Sequence, residues 1–337
     1  YAIERFREAG MEFMDFFGTG RTMLQHTYDR VARFIKPDHI YISTNVQYLP
    51  LVHQQLPQVD DEQILEEPVR RGTLASVAWG TVVIAKANPH ANVFVTPADH
   101  VILNEDIYQE DILKALRFVQ DCQGLLVTGI RPSRTETGYG YIQMDDRHEV
   151  EKDIYPVKSF TEKPNAEFAE MFIQEGDFLW NSGLFSFNVN VMLSNLFSLV
   201  PEYQVEIPRM MAEAEHASPT LVPEFFNSLP NRNVDVSILE RSDQVYVQQG
   251  HFGWADMGTW ASLYDDAPAD AKGNVLLNTK AFLYDCADNI IRLPDGRTAV
   301  IKGLNDYVIA EEGEILMICP RKDVTAMRKM HIDTKFS

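Results

Sequence analysis

The chain has 337 residues, of which 45% are hydrophobic and 23% charged, a globular composition with room for one large domain and a smaller one. Its formal net charge of −19 opposes non-specific nucleic-acid binding, which depends on Lys and Arg neutralising phosphates, so a phosphate site has to be built locally. No apolar run approaches the ~20 residues of a membrane span and no leader peptide is expected. Cys122, Cys286 and Cys319 are odd in number and widely spaced, which suggests reduced thiols in a cytoplasmic protein rather than a disulfide framework or a zinc knuckle.

Taken in order, Tyr1-Ala2-Ile3 reads as the end of a strand, yet Glu4 to Glu8 follow with no turn chemistry. Phe16 to Arg21 is a turn. Thr22 with Gln25 forms a capping box, and Leu24, Tyr28, Val31 and Ile35 share one face of the helix that follows. His39 to Ser43 and Gln63 to Leu65 are strands, with a short helix from Tyr48 to Leu56 between them. Thr73 is expected to cap an apolar helix from Leu74 to Lys86. Ala91 to Val95 is a short, β-branched strand of the buried kind, stopped by Pro97 and followed at once by Asp99. A helix from Asp106 to Gln120 leads to a strand from Leu125 to Gly129. Four alternations of strand and helix specify a doubly wound, mainly parallel α/β sheet with right-handed crossovers.

Beyond Gly129 the rhythm changes. Tyr139 to Ile142 and Val157 to Phe160 read as antiparallel strands, so the sheet is mixed. Ala166 to Gln174 is helical, Trp180 to Phe187 is a strand entering a helix near Val191, helical segments run to about His216, and Gln244 to Val247 returns to strand. From Gly273 short apolar runs recur between Gly, Asp and Asn residues, which predicts a small all-β appendage, a few turns of β-solenoid or a sandwich. The boundary is placed near Ala267-Pro268, giving a large α/β domain over 1–267 and a β domain over 268–337.

Several short motifs carry possible chemistry. In open α/β sheets ligands bind outside the carboxyl ends of strands, so Asp99 is placed to hold Mg²⁺ against nucleotide phosphates; a helix cap or loop acid is the alternative. Glu67-Pro68-Val69-Arg70-Arg71-Gly72-Thr73 joins a strand to a helix and could hold an anion, or could be a capped helix with solvated arginines. Gly138-Tyr139-Gly140-Tyr141 permits close backbone approach, or is a hairpin turn. Phe160-Thr161-Glu162-Lys163-Pro164 sets a hydroxyl acceptor beside a phosphate ligand, or an ion pair in a turn. Trp180-Asn181-Ser182-Gly183 offers a stacking face and an amide, or a core Trp with a local Asn turn. Phe252-Gly253-Trp254-Ala255-Asp256-Met257-Gly258-Thr259-Trp260 flanks a single carboxylate with glycines and two tryptophans, which is unusually dense for a structural turn and favours a functional role over one. Asp235 and Glu240 are acids in a mixed segment, and a plain helix-face role suits Glu240 better than Asp235.

The order and separation of these motifs resemble the sugar-phosphate nucleotidyltransferases over about Phe13 to Ile318, and within them the branch that joins GTP to mannose 1-phosphate. The resemblance implies a Rossmann-like nucleotidyltransferase sheet followed by a small C-terminal β-helix-like domain. It implies Asp99 and Asp256 as ligands of Mg²⁺, Lys163 on the sugar phosphate, and Glu162 on sugar hydroxyls. Gly138, Tyr139, Gly140, Asn181 and Gly183 would line the sugar pocket, and Arg5, Glu67 and Arg71 would approach the nucleotide. His100 would support the metal ligands. GTP and mannose 1-phosphate are then the substrates, Mg²⁺ the cofactor, and a cytoplasmic homodimer without nucleic-acid or membrane partners the expected setting.

Two departures from the family pattern stand out. Gly72 occupies a position where the family usually has Asn. The Gly-rich opening loop, about Gly-Gly-x-Gly-x-Arg and then Pro-Lys before Phe, is absent, and Arg5-Phe6, Arg7 and Glu12-Phe13-Met14-Asp15 look like its remaining islands. The expectation is that the intact protein carries further loop residues here, which an intact mass above that of the 337 residues would show. Otherwise the chain would be a non-catalytic sugar-nucleotide-binding subunit. A relative specific for another hexose 1-phosphate or another nucleotide is the remaining alternative.

Overall fold

The computed structural model describes residues 2–5, 11–13, 15, 20–213, 221–256, 264, 269–277, 279–293, 296–312 and 315–321. The turn expected at Phe16 to Thr19, the islands at Phe6, Arg7 and Met14, the glycine and tryptophan at Gly258 and Trp260, and the boundary at Ala267-Pro268 lie outside the described residues.

In chain order the elements are β1 (Ala2–Arg5), α1 (Met23–Ala32), β2 (Ile40–Asn45), α2 (Leu49–Gln55), β3 (Ile64–Glu67), α3 (Gly72–Ala87), β4 (Asn92–Pro97), β5 (His100–Ile102) and α4 (Glu105–Asp121). Then follow β6 (Leu125–Ile130), β7 (Tyr141–Met144), β8 (Ile154–Thr161), α5 (Ala166–Glu175), β9 (Phe178–Asn188), α6 (Val189–Leu199), α7 (Tyr203–Glu213) and α8 (Leu221–Ser228). A π-helical turn at Asp235–Leu239 precedes β10 (Val245–Gly250) and β11 (Trp254–Asp256). The tail is all β: β12 (Val275–Leu277), β13 (Lys280–Tyr284), β14 (Ile290–Arg292), β15 (Thr298–Lys302), β16 (Tyr307–Glu312) and β17 (Ile315–Pro320).

Two units emerge. The first comprises residues 1–9, 24–98 and 102–254; the second comprises 10–23, 99–101 and 255–337. Two short pieces from early in the chain group with the tail.

The first unit is built on a nine-stranded sheet in the order β3-β2-β1-β4-β9-β6-β10-β8-β7. β1, β2, β3 and β4 pair in parallel, as do β6 and β10, whereas β9 runs antiparallel to β4, β6 and β7, and β8 antiparallel to β7 and β10. The sheet is therefore mixed and mainly parallel, and the expected doubly wound α/β architecture is present. Strand alternation places Leu125 and Val127 in the cluster with Leu74, Val77, Val82, Met192 and Leu196 of α3 and α6, while Leu126 joins Ala115 and Val119 of α4. α3 buries ten of its sixteen residues, which is why its sequence is apolar almost all round. α4 has the opposite pattern, burying Tyr108, Ile112, Ala115 and Val119 at helical spacing.

Thr73 does not cap α3. Arg71 holds the N-cap position, and the Thr73 hydroxyl instead accepts the Val234 N–H at 2.8 Å, tying the start of α3 to the segment before the π turn. β4 is parallel to β1 and antiparallel to β9, and Pro97 is its last paired residue. The two strands β5 and β11 pair with each other, and their three residues apiece leave no periodicity to read.

In the second unit β12, β14 and β16 stack in parallel, β17 returns antiparallel to β16, and β13 pairs in parallel with β15. The tail is thus the expected small all-β structure, made of mixed small sheets. Its interior is Val275, Ile290, Val308 and Cys319. A buried amide ladder ties its turns together: Asn289 donates to Asn274 Oδ1 at 2.9 Å and to the Leu304 carbonyl at 2.7 Å, and accepts the Tyr307 N–H at 3.0 Å. Among the described residues no helix is long and apolar enough to cross a membrane.

Candidate functional site

One cleft of the first unit gathers several of the residues singled out by sequence. Its lining includes Gly140, Glu162, Asn181, Asp235 and Glu240. Each reaches it by a different device. Gly140 is the residue before β7, and a Cβ there would stand 2.8 Å from Glu162 Oε2 and 3.5 Å from Asn181 Cβ, so glycine is what lets backbone lie against those groups. Gly138 and Tyr139 belong to the same loop. Tyr139 is buried and meets Trp180 and Trp254 edge-on at 5.3 Å and 5.2 Å, which anchors the loop. Trp180 is accordingly a buried aromatic, only 3% exposed, and its indole packs on Tyr139.

Asn181 lies in β9 beside an irregularity. Between Val127 and Gly129 of β6 the register with β9 shifts, and Gly183 takes a left-handed φ of 73°. Such bulges re-aim side chains next to functional sites. The Asn181 backbone N–H donates to Gly140 O at 2.8 Å. Its side-chain oxygen accepts the Gly183 N–H at 3.0 Å, and its Nδ2 donates to Asp235 Oδ1 at 2.8 Å.

Glu162 and Lys163 follow β8. Lys163 Nζ is 3.3 Å from Glu162 Oε1, and both side chains are well exposed. Lys163 has φ 47°, a left-handed conformation that an L side chain holds only at a cost. Asp235 and Glu240 are brought together by the π turn, in which the Glu240 N–H bonds the Asp235 carbonyl at 2.9 Å. In an α-helix these positions would point about 140° apart. Partial burial, then the charges of Glu162 and Asp235, raise the Glu240 carboxyl above its ordinary range.

The residues expected near the nucleotide are arranged separately in the same unit. Glu67 ends β3, is buried, and accepts the Ser43 hydroxyl at 2.7 Å. Arg71 turns its guanidinium to backbone: Nε donates to the Phe226 carbonyl at 2.9 Å and an Nη to that of Asn227 at 3.3 Å. Arg70 donates to the Tyr48 hydroxyl at 3.0 Å and lies over that ring. Both arginines thus hold protein groups. Gly72 has φ 71°, and a Cβ there would sit 2.3 Å from the Arg232 carbonyl oxygen. Arg5 ends β1, its Cα in register with Ser43 and Pro97; of its side chain nothing is described.

In the second unit Asp99, His100 and Asp256 are buried together, at 3%, 1% and 7% exposure. His100 Nε2 is 4.0 Å from Asp99 Oδ1 and 3.9 Å from Asp256 Oδ1. Two acids 157 positions apart in sequence (256 − 99) therefore share one imidazole. No group of three or more His, Cys, Asp or Glu among the described residues gathers as a metal cage. Two carboxylates alone are nevertheless a donor set that fits Mg²⁺, which takes one or two carboxylates and completes its shell with water and substrate phosphates.

Sequence reasoning named Asp235 and Glu240 only as acids in a mixed segment and did not bring them to one place. Their shared face depends on a π turn, and no hydrophobic period announces one.

Comparison with known proteins follows the same lines. The chain matches the family described as nucleotidyl transferase over residues 14–273. It is 31% identical over 319 residues to a mannose-1-phosphate guanylyltransferase of Salmonella typhimurium, covering 92% of this chain and 64% of that protein. It is 30% identical over 323 residues to mannose-1-phosphate guanylyltransferase 2 of Escherichia coli O157:H7, covering 92% and 66%. The chain thus spans a little under two thirds of the length of these relatives. Among solved structures, a mannose-1-phosphate geranyltransferase from Thermus thermophilus superimposes with a TM-score of 0.88 at 24% identity, covering 99% of each chain, which is a likeness of fold. With more than half of its length matched, the chain belongs to the nucleotidyl transferase family.

Proposed function

We propose that the chain transfers GMP from GTP to mannose 1-phosphate, giving GDP-mannose and pyrophosphate. A phosphate oxygen of the sugar phosphate forms the new bond to the α-phosphorus of the nucleotide as the bond to the β-phosphate bridge breaks. Little covalent work falls to the protein in such a transfer, and positioning dominates. The observation that carries the reading is the cleft in which Gly140, Glu162 and Asn181 meet. It offers a carboxylate and an amide suited to sugar hydroxyls, beside a lysine suited to a phosphate. The names of the curated relatives supply the sugar and the base.

In this reading Glu162 accepts hydroxyl hydrogen bonds and Asn181 both donates and accepts. Gly138, Tyr139, Gly140 and Gly183 shape the wall. Lys163 holds the sugar phosphate, while Arg5, Glu67 and Arg71 belong to the nucleotide side. Arg71 would serve there through the backbone it fixes, because its guanidinium is committed to α8. Asp99 and Asp256 would hold Mg²⁺, whose chemistry is to neutralise phosphate charge in a chain at −19. His100, with Nε2 4.0 Å from Asp99 Oδ1 and 3.9 Å from Asp256 Oδ1, would support these two ligands from behind. The tail over 268–337, its parallel strands read as turns of a β-helix, is an appendage for packing or assembly. A cytoplasmic homodimer acting on these two substrates, with no nucleic-acid or membrane partner, completes the proposal.

One observation favours a second reading on the base side. Gly72 replaces the family's usual Asn, so relaxed nucleotide preference is the variant to set against strict GTP use. Pyrophosphate release from mannose 1-phosphate and glucose 1-phosphate, each with GTP, ATP, UTP and CTP, tests both. Mannose 1-phosphate should exceed its 2-epimer by roughly 5- to 150-fold, the cost of leaving one buried polar group unpaired. Equal or better turnover of glucose 1-phosphate with every nucleotide would refute the sugar assignment.

A further inference from the structure

The Asn181 amide is held more completely than a side chain that merely lines a cleft. Its oxygen takes the Gly183 N–H at 3.0 Å, and one of its two Nδ2 protons goes to Asp235 Oδ1 at 2.8 Å. A backbone donor on one side and a carboxylate on the other define which end is oxygen and which nitrogen, since the flipped amide would place donor against donor and acceptor against acceptor. One N–H and one oxygen lone pair are left for a ligand. The carboxylate is itself placed by the backbone. The Val234 N–H is anchored on the Thr73 hydroxyl, and the i to i+5 bond from Glu240 to the Asp235 carbonyl opens the π turn. π turns of this kind occur often at functional sites.

We propose that Asp235 is the positioning residue of the sugar site, fixing the Asn181 amide so that its remaining N–H and lone pair meet a hydroxyl of the sugar phosphate. The inference rests on the reading of this cleft as the sugar site. It assigns Asp235 no contact with the reacting atoms and no metal.

The test is a double-mutant cycle on the full chain, using whichever of mannose 1-phosphate and glucose 1-phosphate the wild-type protein turns over better. Asp235→Ala should raise KM for the sugar phosphate about tenfold or more, with KM for the nucleotide changed by less than about threefold. Asp235→Asn should recover most of the loss, because an amide oxygen accepts the same hydrogen bond. Asn181→Ala should raise the same KM, and adding Asp235→Ala to it should cost less than about twofold more, since the group to be positioned is already gone. Multiplying effects in the double mutant, or no rescue by Asp235→Asn, would overturn the proposal. A second measurement does not depend on the alanine variant folding. In the wild-type protein, one Asn181 Nδ2 proton should exchange with solvent measurably more slowly than the other by NMR. Two protons exchanging equally fast would also overturn it. If neither sugar phosphate is turned over or bound by the wild-type protein, the sugar reading itself fails, whereas a normal sugar KM with additive mutations rejects only the role of Asp235.

Discussion

Gly72 is the departure from the family pattern that the structure explains most sharply, and substituting it gives the strongest prediction. Its φ of 71° is a conformation that costs a non-glycine residue ~1 kcal/mol or more. The larger obstacle is contact. A Cβ would lie 2.3 Å from the Arg232 carbonyl oxygen and 2.8 Å from Asn231 Oδ1, roughly 1 Å inside ordinary van der Waals separation. The amide of Asn231 can swing away, but the Arg232 carbonyl is backbone and accepts the Leu74 N–H at 3.1 Å. Moving it also strains the Val234 to Thr73 hydrogen bond at 2.8 Å. Two such bonds at about 1 kcal/mol each, added to the backbone term, place Gly72→Ala about 3 kcal/mol below wild type. Gly72→Asn should fall nearly as far, because Asn tolerates the left-handed region better but carries the same Cβ. That is a large share of a typical folding stability of about 5–15 kcal/mol. Urea unfolding followed by tryptophan fluorescence measures it. Both variants within about 1 kcal/mol of wild type would refute the reasoning. A wild-type-like Gly72→Asn beside a destabilised Gly72→Ala would show that conformation, and not contact with Arg232, is what demands glycine.

Asp99→Asn should lower turnover by orders of magnitude while leaving the unfolding midpoint close to wild type, since the amide keeps the shape and removes the charge; Mg²⁺-dependent turnover at the wild-type level would refute the metal assignment. Lys163→Ala should raise KM for the sugar phosphate well above any change for the nucleotide, and an equal loss for both would remove Lys163 from the sugar phosphate. Lys163→Gly should lose the same affinity with its thermal midpoint unchanged or raised, because glycine relieves the left-handed strain at φ 47°. Glu240 has its carboxyl raised above an ordinary value of 4.5, first by burial and then by Glu162 and Asp235. The folded state therefore holds that proton more tightly than the unfolded chain, so its stabilising effect is full below the ordinary value and is lost as pH rises through the raised one. Glu240→Gln should accordingly gain midpoint relative to wild type at about pH 7 compared with about pH 4. A difference independent of pH would sink that assignment.

Much of the scaffold was legible because it rests on local signals. Alternating apolar runs and helical spacing located β2, β6, β9, α3 and α4 to within a few residues, as the buried sets of α3 and α4 bear out. Glu162, Gly140 and Asn181 were legible as short motifs, and they do line one cleft. What the sequence concealed depends on partners far away in the chain. Thr73 has the composition of a helix cap, but the Val234 N–H claims its hydroxyl across 161 positions. Arg71 looks like an anion ligand in Glu-Pro-Val-Arg-Arg-Gly-Thr, yet its guanidinium meets carbonyls at the end of α8, 155 and 156 residues away.

The same distinction accounts for the acids. Asp99 is visible because it follows a strand, and Asp256 because aromatic residues crowd it, but nothing local joins them. Their meeting at His100 depends on the three-residue strands β5 and β11, too short to show a period of two. Asp235 and Glu240 fail for a different reason. Five residues apart, they fall on different faces of any α-helix, so helical reasoning assigns Glu240 a plain surface role. Only the wider turn stacks them, and in doing so it sets one carboxylate against the Asn181 amide and leaves the other facing Glu162. Partly buried and facing the charges of Glu162 and Asp235, the Glu240 carboxyl is pressed towards its protonated form. The π turn thus sets two like acids in unlike surroundings, Asp235 bonded to the Asn181 amide and Glu240 raised by burial and by its neighbours' charges.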